Sequence, residues 1–145
     1  FFSTHIDLDN VYTFDKPFLI DVPLQKLTSA ADAKPIILQN IFFASGSYTL
    51  LPESEAEINM LFDLLQNNLS VKIQIVGHTD NVGKPDDNQV LSLQRANAVK
   101  NVLVNRNIDP NRILTEGKGQ ENPIDSNETA EGRKNNRRTE FVIIP

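Results

Sequence analysis

Apolar and polar positions follow two different periods along this chain. Phe18, Ile20, Val22 and Leu24 are interleaved with Leu19, Asp21 and Pro23. Period two is the signature of a half-buried strand, and Pro23, which lacks an N–H, pushes it towards a sheet edge. Ile6, Leu8, Tyr12 and Phe14 mark a partner strand, with Asp15-Lys16-Pro17 as the turn. Two strands alone are marginal in water, so this N-terminal β-hairpin extension has to pack on something. Residues 25–34 are small and polar and read as a linker.

From Pro35 the pattern becomes βαβαβ with a last strand. Ile36-Ile37-Leu38 and Ile41-Phe42-Phe43 are strand-like and apolar on both faces, broken by Ser45-Gly46-Ser47. Pro52 to Asn67 predicts a first helix, because Ile58, Leu61, Phe62 and Leu65 fall on one stripe. Pro52 suits a first turn and Glu53 and Glu55 complement the helix dipole, while Ser54 with Glu57 offers a competing capping box. Asn67-Asn68 is expected to close the helix in a left-handed conformation.

Val71, Ile73, Ile75 and Val76 predict a second strand ending at Gly77. Asn88 to Asn105 predicts a second helix with Ala96, Val99, Val102 and Leu103 inward, and Arg112 to Gly117 a third strand. A loop rich in Gly, Asn and Pro leads to a helical turn near residues 131–137 and a final strand over Phe141–Ile144. Strands alternating with helices imply an α/β class with a mainly parallel, helix-covered sheet and right-handed crossovers.

Composition narrows the chemistry. With 145 residues the chain suits one domain plus an extension. It has no cysteine, which excludes a disulfide scaffold, a thiol nucleophile and any cysteine-based metal site. No window approaches the ~18 consecutive apolar residues of a transmembrane helix. The first residues show neither methionine nor a basic-then-apolar leader, so the chain is expected to be a piece of a longer protein. The net charge of −5 argues against a general nucleic-acid binder. Residues 131–140 set Arg133, Lys134, Arg137 and Arg138 against Glu131 and Glu140, a local +2 that leaves −7 elsewhere. A small basic patch on an acidic protein suits a local anion.

Several candidate sites fail on spacing. Gly77 to Lys84 has five residues between its glycines and Pro85 after the lysine, so it is not a phosphate loop. Asp80 lacks the alternating carboxylates of an EF-hand. His78 finds no second nearby histidine for a metal and no nucleophile elbow, which favours a turn histidine hydrogen-bonded to backbone over a catalytic one.

Asp80 is more informative. It lies just past the carboxyl end of the second strand, the edge where open α/β sheets bind ligands. Asn88 and Arg95, seven residues apart, share a helix face with Leu91 and Ser92 between them. On pattern alone, a turn-capping aspartate and solvated arginines are the plainer reading. An acid and a base at that edge would nevertheless match a zwitterion, the carboxylate holding an ammonium and the guanidinium fork a carboxylate.

The runs Ile75-Val76-Gly77-His78-Thr79-Asp80-Asn81-Val82-Gly83, Asn88 with Leu91-Ser92 and Arg95-Ala96, and Gly117-Lys118-Gly119 through Asn136-Arg137-Arg138 occur in this order. Over about Ile36 to Ile144 the chain resembles the OmpA-like peptidoglycan-binding domain found also in MotB and Pal proteins. The resemblance implies an α+β sandwich with a mixed four-stranded sheet covered by helices, over residues 35–145. It leaves residues 1–34 as an extension resembling the end of an upstream β-module.

It also implies a non-catalytic function without cofactor or metal. An outer-membrane or periplasmic protein would be attached to peptidoglycan through the diaminopimelate of the stem peptide, and would meet the membrane only through its other parts. By this resemblance Asp80 receives an ammonium and Arg95 a carboxylate of diaminopimelate. Asn88 and Arg138 add contacts, and Thr79, Leu91 and Ser92 shape the pocket. Asn107 stands where the family often has glycine, and asparagine tolerates the same left-handed backbone. Two alternatives from other classes are a wall-processing hydrolase and a dimerisation element exchanging residues 1–34 between copies.

Overall fold

The stripe over residues 58–65 becomes the buried face of a helix in the computed structural model, which describes residues 35–38, 41–44 and 46–144. The elements are β1 (Ile36–Leu38), α1 (Glu55–Asn67), β2 (Lys72–Gly77), α2 (Pro85–Asn105), β3 (Ile113–Gly117), α3 (Ala130–Asn136) and β4 (Thr139–Ile144). Single 3₁₀ turns at Pro52–Ser54 and Pro110–Arg112 precede α1 and β3. The expected N-terminal hairpin lies outside the described residues.

Ile58, Leu61 and Leu65 of α1 and Ala96, Val99 and Leu103 of α2 meet Leu38, Ile73, Ile75, Ile113 and Phe141 in one core. Burying these apolar side chains is the main term that holds the helices on the sheet. Two local expectations need correction. The Ser54 hydroxyl does not cap α1 but pairs with Phe42, accepting from its N–H at 2.8 Å and donating to its carbonyl at 3.1 Å. Asn68 ends α1 at φ −130°, not in the left-handed region. The last turn is instead satisfied by Asn68 Nδ2 on the Leu64 carbonyl and by Arg112, which donates to the carbonyls of Leu65, Asn68 and Val71. Asn107 does take the left-handed conformation, at φ 69°. Residues 41–44 are drawn into a loop, where Phe43 makes an isolated bridge to Leu50.

The sheet is mixed, with strand order β1-β4-β2-β3, and not mainly parallel. Among the described strands only β2 and β3, joined by the crossover helix α2, run parallel. β4 enters beside the carboxyl end of β2 and runs back along it antiparallel, between β2 and β1. Alternation of elements along a sequence does not encode this pairing. Gly77 stands opposite both Gly117 and Thr139. The register therefore brings Asp80, just after β2, next to the residues that immediately precede β4.

α2 starts at Pro85, three residues earlier than periodicity suggests, with Pro85 at its first turn and Asp86 and Asp87 facing the positive end of the dipole. It lies very close to the sheet. A Cβ on Gly77 would overlap the Ser92 carbonyl, and one on Gly117 would stand 2.6 Å from the Leu93 nitrogen.

Candidate functional site

The turn after β2 is fixed by backbone before any side chain acts. The His78 N–H donates to the Arg138 carbonyl at 2.9 Å and the Thr79 N–H to the Gly119 carbonyl at 2.8 Å. The Thr79 hydroxyl donates to the Asp80 carbonyl, and the Asn88 amide donates to the Asp80 and Val82 carbonyls and to Gln120 Oε1. Ser92, fully buried, donates to the Gln89 carbonyl and accepts from the Gly119 N–H. Asn88, Thr79 and Ser92 thus hold the loops; Leu91 is half-buried on the same helix.

Asp80 is 7% exposed. Its Oδ1 accepts the Val82 N–H at 3.1 Å and its Oδ2 accepts from Arg137 Nη1 at 2.6 Å. The partner is therefore Arg137, which the sequence reading quoted without a role. Arg138 pairs with a different carboxylate. Its guanidinium is nearly buried, with Nε 2.6 Å from Glu140 Oε1 and Nη2 donating to the Asn122 carbonyl.

Arg95 is 8% exposed; its Nε donates to the Ser47 carbonyl at 3.0 Å and its guanidinium lies 5.1 Å from the centroid of Phe43. Burial and then the like charge of Arg137 push its pKa down, while Asp80 opposes them. Arginine starts so high that the group stays charged. Asp80, Arg95 and Arg137 form one electrostatic cluster.

The cluster borders a cleft of about 580 Å³. Arg95, Lys134, Arg137 and Arg138 line it together with the apolar Ile37, Leu38, Ile41, Phe42, Phe43 and Ile124. Among the described residues, no carboxylate lines it. Asp80 stands behind Arg137. Phe43 and Ser47, which fix Arg95, gave no local signal in the sequence because they lie about a third of the chain away from it.

His78 is buried at 3% exposure, and neither ring nitrogen has a hydrogen-bond partner; Nε2 is 3.6 Å from Glu140 Oε2. The expected turn histidine therefore bonds to backbone through its N–H and not its ring. Burial and the nearby Arg138 hold its pKa below the usual value of 6.5, against the pull of Glu140. Among the described residues, no group of three or more His, Cys, Asp or Glu is placed to hold a metal ion.

Comparison with known proteins places this geometry among relatives. The sequence model of the OmpA family matches residues 42–137. Outer membrane protein A of Bordetella avium is 44% identical over 115 residues, covering 77% of this chain and 58% of that protein. The peptidoglycan-binding protein ArfA of Mycobacterium tuberculosis is 38% identical over 120 residues, covering 83% of this chain and 35% of its own length. The chain thus spans little more than half of the first relative and about a third of the second. Among solved structures, the cell wall anchor of the type VI secretion system from Pseudomonas aeruginosa superposes with a TM-score of 0.64 at 29% identity, over 76% of this chain and 78% of that one. The peptidoglycan-associated lipoprotein from Burkholderia pseudomallei shares the fold, with a TM-score of 0.68 at 23% identity over 83% of this chain and 98% of that one.

Proposed function

The chain belongs to the OmpA family, and from that premise we propose that it is a non-catalytic module that binds the peptide stem of peptidoglycan. It would thereby anchor an outer-membrane or periplasmic protein to the cell wall. Relatives named as a peptidoglycan-binding protein and as a cell wall anchor support the polymer, and relatives named as outer membrane proteins and lipoproteins support the compartment.

The observation that carries the reading is the buried Asp80 carboxylate paired with Arg137, with Arg137 and Arg95 both lining the same cleft. A carboxylate and a guanidinium held together in a site with little water are matched to the ammonium and carboxylate of one amino-acid end. The free end of diaminopimelate has both groups on one carbon. Asp80 takes its ammonium and Arg95 its carboxylate, while the apolar lining accommodates the methylene chain. Arg138 contributes a wall of the cleft and Asn88 the position of the loop. Repeated stems in the wall would strengthen attachment of clustered copies through effective concentration.

Co-sedimentation with purified sacculi tests this reading. The wild-type chain is expected to pellet with diaminopimelate-type sacculi, and Asp80→Asn is expected to stay in solution with an unchanged circular-dichroism spectrum. Retention of the folded variant at the wild-type level would overturn the site assignment.

A further inference from the structure

We propose that Arg137 is a resident counter-ion whose displacement makes the site selective for zwitterions over simple amines. The proposal rests on the reading of Asp80 as the ammonium receptor, and it concerns how that receptor chooses.

Asp80 Oδ2 accepts from Arg137 Nη1 at 2.6 Å. The Asp80 side chain is 10% exposed while that of Arg137 is 44% exposed. The carboxylate is therefore reached past a mobile-length, half-solvated guanidinium. Among the described residues, the cleft is lined by four cationic side chains and no carboxylate. One of these cations, Arg138, is neutralised by Glu140. Arg95, Lys134 and Arg137 remain; Arg137 is paired with Asp80, and its like charge bears on Arg95.

Consider an ammonium entering alone. To bond Asp80 it must push Arg137 aside and leave two guanidiniums facing each other with no anion between them. An ammonium that brings a carboxylate on the same carbon does not meet this penalty. Its ammonium replaces Arg137 on Asp80, and its carboxylate is taken by the released Arg137 together with Arg95. Charge is conserved in the exchange, and each buried group keeps a partner. Arg137 is thus a specificity-determining residue. It acts by opposing the wrong ligand as much as by holding the right one.

The test uses diaminopimelate and cadaverine, the same five-carbon diamine without the two carboxylates, as probes. Each is titrated by NMR into the wild-type chain, Arg137→Gln and Arg137→Lys. In the wild type, diaminopimelate is expected to bind more tightly than cadaverine by ~10-fold or more. In Arg137→Gln, cadaverine is expected to gain affinity and the ratio to shrink by ~10-fold. Arg137→Lys keeps the competing charge and is expected to retain most of the discrimination. If diaminopimelate binds the wild type but the ratio in Arg137→Gln stays within about twofold of it, the counter-ion role is wrong and the binding site stands. If diaminopimelate binds none of the three, the assignment of the site fails and this inference fails with it.

Discussion

Arg137, and not its neighbour Arg138, closes on Asp80: the contact is 2.6 Å, whereas Arg138 lies 2.6 Å from Glu140. The two adjacent arginines therefore have different partners. One is half-solvated, and the other is nearly buried.

The first prediction concerns that difference. Arg138→Met removes one partner of a nearly buried ion pair and leaves Glu140 unpaired beside the buried His78. Breaking such a pair from one side costs about 3–5 kcal/mol. Urea denaturation should show a loss of about that size, whereas Arg137→Gln should lose less, because Asp80 keeps the Val82 N–H and the nearby charge of Arg95.

Close packing gives the second. A Cβ at Gly77 meets the Ser92 backbone, and α2 cannot move away without lifting Arg95 and Asn88 from the site. Gly77→Ala is expected to destabilise the chain by about 3 kcal/mol or more. Thermal unfolding checks this, and a melting temperature within a few degrees of wild type would show that α2 can yield.

Protonation of His78 gives the third. Its folded pKa lies below the usual 6.5, so the unfolded chain binds the proton more readily. The stability this group contributes is complete above about pH 6.5 and is lost as the pH falls through the folded value. The slope is at most about 1.4 kcal/mol per pH unit, the limit for one proton. Denaturation midpoints at pH 7.5 and 5 should differ in the wild type and converge in His78→Gln.

Asn136 supplies the fourth. Fully buried, it accepts from the Ile124 and Asp125 N–H groups and donates to the Asp125 carbonyl and Asn127 Oδ1. Asn136→Ala leaves these groups unsatisfied and is expected to cost about 2–3 kcal/mol. Amide exchange should accelerate at Ile124 and Asp125 first, loosening one wall of the cleft before the core opens.

Much of the architecture was legible because it depends on local period. The stripes at Ile58, Leu61 and Leu65 and at Ala96, Val99 and Leu103 are the buried faces found in the fold. The left-handed Asn107 followed from the resemblance, which sets it where the family often has glycine, and its φ is 69°. What escaped depends on partners distant in sequence. The Ser54 hydroxyl pairs twelve residues away with Phe42, so a capping motif that is locally correct is not used. The place of β4 between β1 and β2 is a matter of pairing, which alternation does not specify. The choice between Arg137 and Arg138 is a matter of which distant carboxylate each reaches, and two adjacent arginines do not show that in sequence. Asp80, Asn88 and Arg95 were legible as candidates because loop position and helical spacing bring them to one edge. Phe43 and Ser47, which immobilise Arg95, come from a different part of the chain.

The most direct test of the central claim is calorimetric titration with a stem peptide carrying diaminopimelate, compared with the same peptide carrying lysine at that position. Lysine keeps the ammonium and lacks the second carboxylate. Saturable binding of the diaminopimelate peptide is expected, with much weaker binding of the lysine peptide. Arg95→Ala should lose ~2–5 kcal/mol of binding free energy through the unpaired carboxylate. Equal affinity for both peptides, or an undiminished affinity in folded Arg95→Ala, would contradict the assignment of Asp80 and Arg95 as a receptor for an amino-acid end.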